Sequence, residues 1–156
     1  MSLDIDALKT QFLNREFDTQ TFTVSADAIV DYARTCGEVA PRYTNPTDPD
    51  FQAPPTFASS LQAGRRLPDG FPEVAGLGMD AGKAVSPQQP IRPGVELTGR
   101  SHLHDIYTKS GRSGRMVFFV IRMEVYDPTG TQLATADTSV VIRERPTARE
   151  AADERA

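Results

Sequence analysis

Residues 32–43, Tyr-Ala-Arg-Thr-Cys-Gly-Glu-Val-Ala-Pro-Arg-Tyr, followed ten residues on by Ala53-Pro54-Pro55-Thr56-Phe57, decide how this chain is read. Just upstream, Ser25 offers an N-cap for a helix over Ala26–Thr35, in which Ile29, Tyr32 and Ala33 share one face and Asp27 lies in the first turn. Gly37 ends that helix. Residues 38–55 then hold five prolines among Asp, Asn and Thr, which predicts an irregular loop of the kind that commonly carries function. Pro54 and Pro55 stand where a helix can begin, and residues 56–64 have the small side chains of a helix packed closely against a sheet.

Outward from this stretch, residues 16–24 alternate and are rich in β-formers, which reads as a first strand. Residues 67–82 form a long connection punctuated by Gly and Pro, residues 83–89 a short strand, and Pro90-Ile91-Arg92-Pro93-Gly94 a tight turn. Three long strands follow at residues 96–109, 115–126 and 132–143, joined at Gly111-Arg112-Ser113-Gly114 and Asp127-Pro128-Thr129-Gly130. Such a meander is long enough to curl round a helix. The first 145 residues read as one domain, and residues 146–156 as a charged, disordered or loosely helical tail.

The bulk composition narrows the functional classes. A chain of 156 residues with 38% hydrophobic and 24% charged residues suits a single soluble domain. Cys36 is the one cysteine, so an internal disulfide and a cysteine-rich zinc site are excluded, which favours a reducing compartment. The first ten residues carry acidic side chains at 4 and 6 without the apolar run of a signal sequence, and no stretch approaches the length of a membrane span. A cytoplasmic protein without membrane contact is expected. A formal charge of -4 argues against nucleic acid as the main partner.

The opening stretch resembles the signature of the MaoC-like dehydratases, (R)-specific enoyl-CoA hydratases. That signature is an aromatic residue, four residues, then Gly-Asp-x-Asn-Pro-x-His. Tyr32, Gly37 and Pro41 match it, whereas Glu38 stands for the Asp, Ala40 for the Asn and Tyr43 for the His. This pattern, with residues 53–57, is similar to the N-terminal, non-catalytic half of double-hot-dog dehydratases. The resemblance implies an α+β hot-dog fold, a curved antiparallel sheet wrapped around a central helix that starts near Pro55. It also implies an acyl-CoA or acyl-carrier-protein thioester as ligand, no cofactor, and a dimer paired edge to edge, with one site built from two chains. Three readings stay open: a non-catalytic subunit of a heteromeric hydratase paired with a catalytic MaoC-like subunit, a homodimeric acyl-CoA-binding protein, and an active hydratase or thioesterase that uses Glu38.

The chemistry singles out a few side chains. Hydration needs a base for water and an acid for the α-carbon within reach of one water. Glu38 retains the carboxylate, but Tyr43 replaces His with a phenol, which has little general-base capacity at neutral pH. Pro55, Thr56 and Phe57 are candidate substrate contacts at a helix start, where the amides of Thr56 and Phe57, and not the prolines, are the donors available to a thioester carbonyl. Lys109, Arg112 and Arg115 gather at one turn, where they could meet the phosphates of CoA or a pantetheine arm, and the first two are taken as substrate-binding. His102 and His104 share a strand face but lack a third ligand at useful spacing, so no metal site is expected. Cys36 has no local base and no nucleophilic role.

Overall fold

The computed structural model describes residues 3–112 and 114–144. In chain order they form α1 (Ile5–Phe12), β1 (Glu16–Thr23), α2 (Ala26–Thr35), α3 (Pro41–Thr44), a single 3-10 turn (Phe57–Ser60), β2 (Gly76–Pro87), β3 (Glu96–Gly111), β4 (Gly114–Tyr126) and β5 (Gln132–Glu144). The five strands make one sheet in the order β1-β3-β4-β5-β2, antiparallel throughout. Register shifts at Glu16/Asp18, Asp80/Gly82, Leu103/Asp105 and Val125/Tyr126 bend the strands, since an extra residue on one side of a ladder kinks it and increases its twist. The result is the expected α+β arrangement of a curved sheet laid against helical elements.

Period-two alternation assigns the faces. Cross-strand partners Leu103 and Ile121, Ile106 and Phe119, and Val125 and Ala134 lie on the inner face. That face is covered by two separate apolar clusters. At one end Ile29 and Val30 of α2 pack with Phe57, Leu97, Met123 and Val125; at the other Leu8 and Phe12 of α1 pack with Leu103, Ile106, Val117 and Phe119. Phe71 bridges rings within the second cluster, 5.0 Å from Phe12 and 5.5 Å from Phe119 by centroid.

The central helix expected over residues 56–64 does not form. Only the turn Phe57–Ser60 is helical, and Leu61 leaves it in an extended conformation. The Ser59 and Ser60 hydroxyls donate to the carbonyls of Thr56 and Phe57 at 2.8 and 2.7 Å, an alternative to helix propagation that serine offers readily. Gly64 then rests on β1, where its amide donates to Asp18 Oδ2 at 2.8 Å and a Cβ would collide with the Gln20 amide. Residues 61–75 cross the inner face as an irregular strap, with Leu61 and Ala63 against the first cluster and Phe71 and Val74 against the second.

Three further differences are local. Helix α1, capped by Asp4 through Ala7 N, was not legible as a core element. Strand β2 begins at Gly76 rather than 83, because β5 supplies a partner along its whole length. The short α3 sits inside the proline-rich loop. The tail assigned to residues 146–156 lies outside the described residues. Phe119, 1% exposed between α1 and the strap, should lose about 3–5 kcal/mol of stability as Phe119→Ala, measured by urea denaturation. Val39→Ser, at a side chain 88% exposed, should stay within about 0.5 kcal/mol of wild type in the same titration.

Candidate functional site

Helix α2 ends in a left-handed glycine cap. Gly37 has φ 77°, its amide donates to the Arg34 carbonyl at 3.0 Å, and the Glu38 amide donates to the Ala33 carbonyl at 2.9 Å. Any other residue at 37 would be strained. The cap redirects the chain so that Glu38 is half-buried, Val39 is exposed and Pro41 opens α3. Tyr43 is half-buried on α3, and the Arg42 guanidinium lies 5.5 Å from its ring centroid.

The loop beyond α3 is fastened rather than loose. The Gln52 amide donates to the Arg42 carbonyl (2.9 Å) and the Ala53 amide to the Ile91 carbonyl (2.8 Å); Arg92 donates to the Phe51 carbonyl and pairs with Asp50, each at 3.1 Å. Tyr32 ties the helix to the turn. Its hydroxyl meets Thr56 Oγ1 at 2.8 Å and its ring stands edge-on to Phe57 at 5.3 Å. The aromatic position of the motif thus holds α2 and the 53–57 segment as one unit.

The geometry limits what this unit can catalyse. Among the described residues no hydrogen bond joins Glu38 to Tyr43, and both histidines lie on β3, away from this loop. Phe57, expected to offer its amide, donates it to the Pro54 carbonyl at 2.9 Å, and its side chain is core at 4% exposure. Pro54 and Pro55 have no amide hydrogen to give. The Thr56 amide is left as the donor of this segment, on a turn too short to build a macrodipole. A cleft of about 190 Å³ opens beside Pro54 and Pro55, walled by residues 87–91.

Lys109 and Arg112 sit at the other end of the sheet. Leu97 packs with Phe57, and Lys109 is twelve residues further along β3, roughly 40 Å at a strand's rise per residue. Arg115 does not join them: it pairs with Glu144 at 3.2 Å and donates to the Leu3 carbonyl at 3.2 Å, pinning the chain ahead of α1. Lys109 Nζ instead lies over Tyr107 and Phe118, whose rings stack at 4.8 Å, with 5.8 and 5.3 Å to their centroids.

His102 and His104, placed on one strand face by the sequence, belong to a polar cluster on the outer face whose other members the sequence did not reveal. Asn14, Glu16, Arg100, His102, His104, Arg122 and Glu124 line a cleft of about 390 Å³. His102 Nε2 and His104 Nδ1 are 3.4 Å apart, and Arg122 makes a two-pronged contact with Asp137 at 2.7 and 2.8 Å. The polar parity of β3 and β4 was the available signal. Burial holds the His102 imidazole below its usual value, against the upward pull of the Glu124 carboxylate. The hydrogen bonds that Arg122 donates to Asp137 hold its guanidinium above its usual value, against the cost of burial. No group of three or more His, Cys, Asp or Glu among the described residues is arranged to hold a metal, and no described helix is long and apolar enough to cross a membrane.

The family described as "FAS1-like, dehydratase domain region" matches residues 11–136. A UPF0336 protein of Streptomyces coelicolor is 31% identical over 153 residues, covering 88% of this chain and 96% of the relative. Among solved structures, the MaoC-like dehydratase of Rhodospirillum rubrum is similar with a TM-score of 0.58 at 20% identity, covering 94% of this chain and all of that one. The HadBC (3R-hydroxyacyl-ACP dehydratase) complex of Mycobacterium tuberculosis is similar with a TM-score of 0.60 at 15% identity, covering 90% and 99%. Their likeness shows the hot-dog fold.

The lowered His102 has a stability consequence. Below the ordinary histidine value of 6.5 the unfolded chain binds more protons at this residue than the folded one, so this contribution to stability falls as pH drops through that range. The thermal midpoint should decline between pH 7.5 and pH 5.5, and His102→Gln should flatten that decline in scanning calorimetry.

Proposed function

This chain belongs to the MaoC-like dehydratase family through its FAS1-like dehydratase region, and from that premise we propose that it is the non-catalytic subunit of a heteromeric (R)-specific enoyl-thioester hydratase. One observation carries the reading. The scaffold of the family's loop is intact, with the Gly37 cap, the Pro41 helix start and the Tyr32–Thr56 tie, while its proton-transfer end is occupied by Tyr43 with no histidine nearby. A partner subunit supplies the Asp and His that handle water and the α-carbon proton. This chain shapes the acyl site, with the Thr56 amide as the donor to the thioester carbonyl.

The free edge of β2 supports assembly. Among the described residues all twelve of its positions except Val85 are exposed and nothing pairs with its outer side, and a free edge of that length is a template for another chain. Antiparallel addition of a similar subunit sets the Gly76 end of β2, and with it the β3–β4 hairpin, beside the Pro87 end of the partner and therefore beside its 53–57 segment. Lys109 and Arg112, remote from their own Thr56, then serve the phosphate of a thioester held by the neighbour. The similar M. tuberculosis complex is itself an assembly of dehydratase subunits.

Crotonyl-CoA hydration tests the reading. The purified chain should give no turnover, addition of a catalytic MaoC-like subunit should raise turnover above that of the subunit by itself, and Glu38→Ala should leave the combined rate within about twofold, a change worth less than about 0.5 kcal/mol in barrier height. Turnover by the chain alone, lost in Glu38→Ala, would establish an active hydratase instead. Analytical ultracentrifugation should find a dimer, homomeric or with that subunit; a monomer in both samples at micromolar concentration sinks the proposed assembly.

A further inference from the structure

The outer face of the sheet divides into two halves of different chemistry. The half around His102 is polar. At the hairpin end, cross-strand register places Tyr107, Phe118, Val141 and Met79 in one row across β3, β4, β5 and β2. The next row is Lys109, Met116, Arg143 and Leu77. Their neighbours Val117 and Phe119 point into the core, so both rows face outward. Leu77 is 56% and Met79 40% exposed, and Val141 at the centre is buried. Neither row contains a carboxylate; the nearest outward one, Asp105, lies next to Lys9 at 3.9 Å.

We infer that this face docks an acidic amphipathic helix of the protein that carries the acyl thioester. The inference rests on the hydratase reading above and chooses between the two thioester carriers which that reading leaves open. Size, charge and shape converge on it. Four strands span roughly 14 Å and the two rows roughly 7 Å along the strands, the footprint of about two and a half turns of one helix of 10–12 Å diameter. The apolar row answers the helix's apolar stripe, and Lys109 and Arg143 answer carboxylates at its margin on a molecule whose overall charge is -4. A second copy of this chain would bring like charges together across a two-fold axis. A nucleotide would need an enclosed pocket with polar groups for its base, and among the described residues this face is open and mainly apolar between its two cations. The face also ends at β2, so in an edge-paired assembly it lies at the same end as the neighbour's 53–57 segment.

The test titrates the full-length, isotopically labelled chain with an acyl carrier protein lacking its pantetheine arm and, separately, with CoA, followed by amide chemical shifts. The carrier protein should shift residues 77–79, 107–109, 116–118 and 141–143, and its affinity should fall with salt. Met79→Glu and Arg143→Glu, both at exposed positions and checked for folding by circular dichroism, should each weaken binding at least tenfold. CoA should leave residues 77–79 and 141–143 unmoved, with any shift confined to the neighbourhood of Lys109. Absence of carrier binding, shifts confined to other residues, or affinity unchanged in both variants would overturn the inference. Hydration of crotonyl-CoA and of the crotonyl-loaded carrier protein by the heteromer separates the two failures: hydration without docking retains the hydratase reading and removes the docking face, whereas docking without hydration of either crotonyl thioester does the reverse.

Discussion

The structure depends on covering one face of a single sheet. Strand β3 runs for sixteen residues, and no one short helix can bury a face of that length. The chain divides the task. Helix α2 and the 53–58 segment close one end, α1 closes the other, and the strap of residues 61–75 joins them. Bulges in the ladders curve the sheet toward these covers. Arg115, reaching both Glu144 and the Leu3 carbonyl, fastens the N-terminal cover to the last strand, so the second cluster is held by contacts more than a hundred residues apart in sequence.

This division explains why the loop of interest is rigid yet chemically incomplete. Tyr32 is bound to its helix on one side and to Thr56 and Phe57 on the other, and Ala53 is hydrogen-bonded to Ile91. Those contacts keep the segment in place without any ligand. What they do not provide is a second proton-transfer group beside Glu38, since the imidazoles are committed to the outer face of β3. A fixed scaffold lacking half its acid–base pair is suited to a site completed by another chain.

The outer face and the β2 edge carry the complementary information. Among the described residues nothing packs a second layer on the outer side, and β2 is paired on one side only. The polar half, with Arg122 held by Asp137 and Tyr126 donating to Glu124 at 2.8 Å, is largely satisfied within itself. The apolar and cationic half is not. An edge left unpaired among the described residues and a one-signed outer patch suit the proposed assembly.

Local rules made much of this legible in the sequence. The Ser25 cap, the Gly37 stop and the β3–β4–β5 meander follow from preferences that act within a few residues, and their boundaries fall within one or two residues of expectation. The motif at residues 32–43 pointed to the family for the same reason, because its glycine and proline meet backbone demands that are local. The tertiary structure decided the rest. Residues 56–64 have helix-like composition but lie where Ser59, Ser60 and the approach of Gly64 to β1 favour an open strap. Strand β2 extends to Gly76 only because β5 pairs with it there, and α1 is a core element only because Leu103 and Phe119 wait beneath it. The separation of Lys109 from Thr56 is likewise invisible in sequence. Distances between elements are set by register and curvature, which are sums over contacts far apart in the chain, and no local preference encodes such a sum.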